Sequence, residues 1–433
     1  VTSHAQSPIR TAFAGLIGNV LEWFDFAVYG YFATAIGKQF FPSSDPTAQL
    51  LLSYLVFAIG FFARPVGSLV LGPVGDRIGR RALLTLSIAL MGGATLVIGV
   101  LPTYATIGVA APILLVLMRL IQGFSLGGEF TGSMVYTTEL ASPLKRGLIS
   151  SSTAAGTTLG FLLGSITALI IRESLGEVAA NAWGWRIPFI GSVLFCLAGW
   201  LLRRGIQEPA ETEAAKAVRA PIWSSLAKDV KPILQTFGIV AMTNAAYYLT
   251  FTFAGERRIS KSGLSPFAAN VISLSMVLIS KPLGGWLSDR IGRKRMMLGL
   301  TVLTMAITYT SLSWMFYGTA NEFLLGQFLI GIPTGLALGM QGAMLVEIFP
   351  LRTRVTSMSV AYSVTLALSG GIAPFVSTWM MDRQQWAYGP VYYVLFYGVL
   401  ALIALIPMAE TNARRLDEIE NPDGSPIPSA RVA

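Results

Sequence analysis

The 433-residue chain has one cysteine, Cys196, and one histidine, His4. A single cysteine excludes an internal disulfide, and the lack of a cysteine–histidine cluster leaves no basis for a zinc site. Charge is scarce as well, 12% of residues against roughly 25% in soluble domains. With 53% hydrophobic residues, a soluble fold would have too little polar surface to show water. Phosphate-binding signals are missing: Gly127, Gly128 and the scattered G-x-x-G fragments lack a strand–turn–helix setting and a Walker lysine. No nucleophile stands with a base or metal triad, so an enzyme is hard to support, and no cofactor is expected.

What the chain has instead is apolar runs of the length a helix needs to cross a bilayer. Twelve can be placed, near 12–37, 49–73, 83–102, 110–137, 150–171, 187–202, 232–254, 265–287, 297–316, 323–348, 357–381 and 389–408. The first contains Glu22 and Asp25 and has no small-residue cleavage site, so it reads as part of the body rather than a signal peptide. An even number of spans puts both ends on one side. The loops at 75–82, 139–149, 203–231, 288–296 and 349–356, with the two tails, hold about 21 of the 31 Lys and Arg. That bias predicts cytoplasmic termini. The net charge of +9 is therefore read as topology in a lipid bilayer, not as a nucleic-acid surface.

Two phrases repeat about 210 residues apart, LGPVGDRIGRR at 71–81 and LGGWLSDRIGRKR at 283–295, each after an apolar run. They divide the chain into two related halves: a six-helix bundle over 1–202, a polar cytoplasmic linker over 203–231, a second six-helix bundle over 232–408, and a cytoplasmic tail over 409–433. Two such halves can rock about a shared site near mid-membrane, which is one solution to alternating access. Twelve spans with duplicated charged loops favour a carrier over a channel, and the expected fold is all-α and polytopic.

These residues resemble the major facilitator superfamily. Both copies fit its G-x-x-x-D-R-x-G-R-R/K pattern, with Gly72, Asp76, Arg77, Gly79, Arg80 and Arg81 in the first. Gly285, Asp289, Arg290, Gly292, Arg293 and Lys294 form the second. A narrower resemblance is to the metabolite:proton symporters, which include citrate, 2-oxoglutarate, shikimate and proline/betaine carriers. It rests on GNVLEWFDFAVYG at 18–30, ARPVGSLVLGPVGDRIGRR at 63–81, RLIQGFSLGGEFTGS at 119–133 and WGWRIPF at 183–189. TNAAYY at 243–248 is most similar to the proline/betaine member, although that member's long coiled-coil tail is missing. The resemblance implies the major facilitator fold, protons as the coupling ion, and a place in the bacterial cytoplasmic (inner) membrane. A functional monomer is expected.

Candidate working residues follow from charge inside the spans, which is costly and usually functional. Glu22 and Asp25 are three apart on one helix and are candidates for proton coupling, with a permanent salt bridge as the alternative. Arg119 needs a buried partner or an anionic substrate. The resemblance places an arginine there in a proton-linked motif. Glu129 could relay protons or pair with Arg64. Tyr29, Arg119, Gln122, Asn244, Tyr248, Lys281 and Gln341 are the substrate-binding candidates. Asn244 and Tyr248 share a face at i,i+4, and Lys281 could meet a carboxylate at the cytoplasmic mouth or snorkel to the interface. The resemblance leads to an uncharged residue at that place. Arg64, Asp76, Arg77, Arg80, Glu139, Asp289, Arg290, Arg293 and Glu347 are candidates for a gating latch.

The sequence reading is proton-coupled uptake of a small carboxylated metabolite, with Arg119 and Lys281 favouring a dicarboxylate or tricarboxylate. The alternative is symport of a zwitterion, proline or glycine betaine. A drug or metabolite exporter is a weaker alternative, and sodium coupling stays open.

Overall fold

A computed structural model describes residues 8–78, 80–139, 141–203, 226–257, 264–351, 353–412 and 416. Side chains are described from Asn19 onward, apart from 72–73, 75–84, 195, 199–203 and 256–257 within those ranges. Twelve membrane helices are laid out in chain order. In the first half they are α1 (Pro8–Tyr31, continued by Ala33–Phe40), α2 (Pro46–Ile78), α3 (Arg80–Val100), α4 (Ala110–Ser125, continued by Glu129–Glu139), α5 (Arg146–Ala179) and α6 (Arg186–Arg203). In the second half they are α7 (Val230–Tyr248), α8 (Pro266–Ile291), α9 (Arg293–Tyr317), α10 (Ala320–Val346), α11 (Arg354–Leu366) and α12 (Gly389–Leu405). These match the twelve apolar runs, and the architecture is the all-α one of two six-helix bundles.

The packing is inside out relative to a soluble protein. Leu52, Phe62, Val66 and Val70 of α2 and Ile113, Leu117 and Leu120 of α4 are exposed, at spacings that mark one helix face. The polar residues Asn19, Glu22, Asp25, Arg64, Arg119 and Gln122 are buried. In lipid the apolar face needs no cover, whereas polar groups must find partners inside.

Pseudo-symmetry is visible in the contacts. The halves meet where α5 packs along α8 and, as its symmetry equivalent, where α2 packs along α11. Within each half one crossing is tight enough to require glycine. A methyl group on Gly123 of α4 would overlap the Gly60 carbonyl of α2. The equivalent crossing has Gly339 of α10 against the Lys281 carbonyl of α8.

Two expectations change in detail. The charged phrases are not loops but helix ends. α8 stops at Ile291 and α9 starts at Arg293, and Gly292 alone makes the turn at φ 103°, a conformation costly for any residue with a Cβ. Span four is also not one straight helix, because it breaks around Gly128, whose φ is 86°. Glu129 therefore opens a new segment rather than lying on the same helix as Arg119.

Helix α7 opens into a π-helical turn at Leu249–Phe253 before resuming at Ala254–Arg257. Such a turn frees backbone carbonyls. Asn270 Nδ2 donates to the Phe251 carbonyl at 3.2 Å, and Gln327 Nε2 to that of Thr250 at 3.4 Å. Asn270 and Gln327 also bond each other.

Candidate functional site

A cavity lies where the two halves meet. The first half contributes Trp23, Phe130, Met134, Ala154, Thr157 and Phe161; the second contributes Asn244, Tyr247, Tyr248, Lys281, Leu338, Gln341 and Tyr362. All of these are buried. Lys281 is the one charged side chain among them. Because α8 runs ten residues beyond it, about 15 Å of helix, Lys281 sits well inside and does not snorkel to the interface. Its Nζ reaches across to α5, donating to the Ala154 carbonyl at 2.7 Å and to Thr157 Oγ1 at 2.9 Å. It also stands 5.5 Å from the Tyr247 ring centroid. An ammonium has three N–H donors, so one remains for another acceptor.

Aromatic faces make up much of the wall. Phe130 and Tyr362 meet at 5.2 Å between centroids, Phe161 and Tyr247 at 5.1 Å, and Trp23 and Phe130 at 5.7 Å. Two wall donors, Trp23 Nε1 and the Tyr248 hydroxyl, are buried with no hydrogen-bond partner among the described residues. Unpaired buried donors are costly, and in a binding cavity they mark places for a ligand acceptor. Asn244 spends one amide N–H on the Val240 carbonyl at 2.8 Å. Gln341 donates to the Ile239 carbonyl and to Thr243 Oγ1, both at 3.1 Å.

Three of the substrate-binding candidates stand elsewhere. Arg119, Gln122 and Tyr29 belong to a polar cluster inside the first half and do not line the cavity. Gln122 Nε2 donates to Asp25 Oδ2 and to Thr95 Oγ1, both at 2.7 Å. Arg119 Nη1 donates to Gln122 Oε1 at 2.9 Å and approaches Asp25 Oδ2 at 3.5 Å. The guanidinium is stacked between the Phe26 and Tyr29 rings at 4.4 and 4.3 Å, and Tyr29 donates its hydroxyl to the Ser53 carbonyl at 3.3 Å. Glu22, one turn earlier on α1, instead accepts from Arg64 Nη1 at 2.6 Å. Glu129 lies within electrostatic reach of Glu22.

The latch candidates of the second copy converge at one end of the bundle. Asp289 accepts the backbone N–H groups of Gly147 and Leu148 at 2.9 and 3.0 Å, so a carboxylate of one half caps α5 of the other. That is a favourable place for negative charge at a helix start. Arg293 bonds Asp289 at 2.7 Å and Glu347 at 3.3 Å. Arg354 pairs across the halves with Glu139 at 2.7 Å. Arg146, one of the basic residues of the 139–149 loop, is buried and stands 4.0 Å from Glu347. Arg290 does not join this group: it stacks on Trp286 of its own helix at 4.0 Å. The side chains of Asp76, Arg77 and Arg80 lie outside the described residues.

Past α12, Glu410 adds a strap the sequence reading missed. Its carboxylate accepts the backbone N–H groups of Arg293 at 2.7 Å, Thr411 at 3.1 Å, Asn412 at 3.2 Å and Lys294 at 3.3 Å. Partial burial pushes this carboxyl up, but those four N–H donors outweigh it and hold it below the ordinary carboxylate range. At the opposite end the halves are joined by the exposed ion pair of Asp45 and Arg383. The Ser165 hydroxyl also donates there to the Phe267 carbonyl at 3.1 Å.

Sequence reasoning missed Trp23, Thr157, Thr95 and Glu410. Only Trp23 carried a signal, its place beside Glu22 on the charged helix.

Comparisons with known proteins agree with this architecture. Residues 11–208 match the family of sugar (and other) transporters, and residues 258–430 match the major facilitator superfamily. The proline/betaine transporter of Salmonella typhimurium is 31% identical over 93% of this chain and 84% of its own length. The citrate-proton symporter of Salmonella typhi is 34% identical over 93% and 96%. The xylose transporter XylE from E. coli, solved in a partially occluded inward-open conformation, superposes with a TM-score of 0.73 at 18% identity, covering 94% of this chain and 99% of that one.

Proposed function

We propose, since the chain belongs to the major facilitator superfamily, that it is a proton-coupled symporter of the bacterial inner membrane and that its solute is a small zwitterion of the proline or betaine class. The observation that carries this reading is a cavity with one cation, Lys281, set among aromatic faces. A carboxylate can take the third N–H of Lys281, with Trp23 Nε1 and the Tyr248 hydroxyl as further donors. A quaternary or secondary ammonium can rest against the rings of Phe130, Tyr247 and Tyr362, where cation–π attraction replaces lost water.

The dicarboxylate or tricarboxylate favoured by the sequence fits less well. It relied on Arg119 as a second cation, and Arg119 is engaged with Asp25 and Gln122 away from the cavity. Extra negative charge on the solute would then be buried without a partner, which is expensive. Relatives named for proline/betaine transport and for citrate–proton symport are both among the similar proteins, so relationship alone supports either class.

Proton coupling in this reading belongs to Asp25 with Arg119 and Gln122. The cross-half bonds of Asp289, Glu139 and Arg354 act as the latch that a change of access must break.

Binding of glycine betaine, proline and citrate to the purified carrier, followed by uptake into proteoliposomes under an inward proton gradient, tests this. Betaine or proline should bind and accumulate, and the accumulation, not the binding, should stop when the gradient is collapsed. Saturable binding of citrate with no response to either zwitterion would overturn the zwitterion reading.

A further inference from the structure

Glu22 and Asp25 are buried on one face of α1 at 1% and 2% exposure, and each faces one arginine. In both pairs the contact is one-pointed. Arg64 Nη1 meets Glu22 Oε1 at 2.6 Å, and Arg119 Nη1 meets Asp25 Oδ2 at 3.5 Å. Among the described residues, Glu22 Oε2, Asp25 Oδ1 and the Nε and Nη2 donors of both arginines have no hydrogen-bond partner. An ion pair kept only to hold helices together gains most from a bidentate fork that satisfies both oxygens. Here each carboxylate keeps one oxygen open.

The two carboxylates have different immediate neighbours, although their arginines, Arg64 and Arg119, lie within electrostatic reach of each other. Glu22 is faced by Arg64 of α2, Glu129 of α4, Tyr248 of α7 and Tyr362 of α11. Asp25 is faced by Arg119 and Gln122 of α4, Thr95 of α3 and Cys196 of α6. Phe26 lies between the two guanidinium groups, 4.5 Å from that of Arg64 and 4.4 Å from that of Arg119. The Glu22 set reaches the cavity wall at Trp23, 5.1 Å from the Arg64 guanidinium, and through Tyr248 and Tyr362, which are wall residues themselves; Arg119 of the Asp25 set also lies within electrostatic reach of Tyr248.

We propose that Glu22 and Arg64 form a second proton-binding site, distinct from Asp25 and Arg119 and linked to the solute through Trp23, so that two protons accompany each solute. This rests on the symport reading above. A proton from the water on the uptake side adds to Glu22 Oε2 and leaves as the same proton on the other side; no bond in the solute changes. Protonation removes the charge that holds Arg64 at Glu22. Arg64 then stays on the aromatic faces of Trp23, Phe26 and Phe61, and its load on the Trp23 ring changes with it. A solute bound to Trp23 therefore senses whether Glu22 carries its proton, and by linkage the proton senses the solute.

Infrared difference spectra of the whole carrier in lipid, recorded between high and low pH without any solute, test the second site independently of what is transported. Wild type should show protonated-carboxyl C=O bands from two buried groups. Glu22→Gln should lose one band and Asp25→Asn the other, while Glu22→Asp should shift its band and keep it. A Glu22→Gln spectrum equal to wild type would mean that Glu22 stays ionised, and would overturn the proposal. So would a Glu22→Asp spectrum without the shifted band, the variant that decides if Glu22→Gln does not fold. In proteoliposomes with the voltage clamped at zero, the logarithm of the betaine accumulation ratio should rise with the pH difference at twice the slope in wild type that it has in Glu22→Gln. Equal slopes would also overturn the second proton. A failure of betaine to accumulate in wild type, with both infrared bands intact, would count against the solute assignment and not against the site.

Discussion

At the scale of single residues, the roles proposed for the cavity and for the Asp25 cluster can be tested apart. Asp25→Asn keeps the shape and the amide-compatible contacts to Gln122 and Thr95 but cannot ionise. It should weaken gradient-driven accumulation more than it weakens solute exchange across the membrane. Equal loss of binding, exchange and accumulation would make Asp25 structural instead. Lys281→Gln removes the cavity's cation and leaves a polar side chain. Hydrogen bonds to charged groups contribute about 1.5–3 kcal/mol, so affinity for a carboxylated zwitterion should fall roughly 10- to 100-fold by titration calorimetry. The sequence drew attention to Lys281, but not to where it stands. Helix periodicity says which face a residue occupies, not how far the helix continues past it, and α8 runs on to Ile291. Arg119 and Gln122 likewise read as cavity residues but turn toward α1 and α3, and Tyr29 of α1 turns toward α2. A single strand of sequence cannot say which neighbour a polar face meets.

At the scale of elements, hydropathy made the twelve helices legible, because lipid demands apolar length and little else. The interruptions were less so. The π-helical turn of α7 depends on Asn270 and Gln327 from two other helices, and no local pattern in Leu249–Phe253 announces it. The four-residue spacing of Gly123 and Gly127 lets another helix approach closely, and α2 is the helix that does so. Its counterpart at Gly339 offers a test. Valine there would push against the α8 backbone at Lys281, and overpacking of this kind costs about 1–3 kcal/mol. Gly339→Val should lower the unfolding temperature in detergent, whereas the exposed Gly299, with open space around its missing Cβ, should accept alanine without that drop.

At the scale of the molecule, the duplicated phrase foretold two related halves, and the contacts of α5 with α8 and of α2 with α11 realise that relation. The two ends of the bundle are nonetheless held differently. The end with the second charged phrase is built from buried bonds and strapped by Glu410, a residue no motif singled out. Because the folded state holds the Glu410 carboxyl low, its stabilisation is in place above the ordinary carboxylate pKa and is lost as pH falls through the lowered one. The stability gap between wild type and Glu410→Gln should therefore be widest near neutrality and close on acidification. Melting curves across a pH series will read it. A gap that widened in acid would contradict the strap.

At the other end the ion pair that joins the halves, Asp45 with Arg383, is in full view of water, its side chains 38% and 44% exposed. Dissolved salt screens exposed charges far more than buried ones. In the orientation that the basic loops predict, that end faces outward, so a briny medium loosens the outer clasp and leaves the inner one nearly untouched. On the symport reading proposed above, raised salt outside should therefore shift the resting carrier toward its outward-facing form.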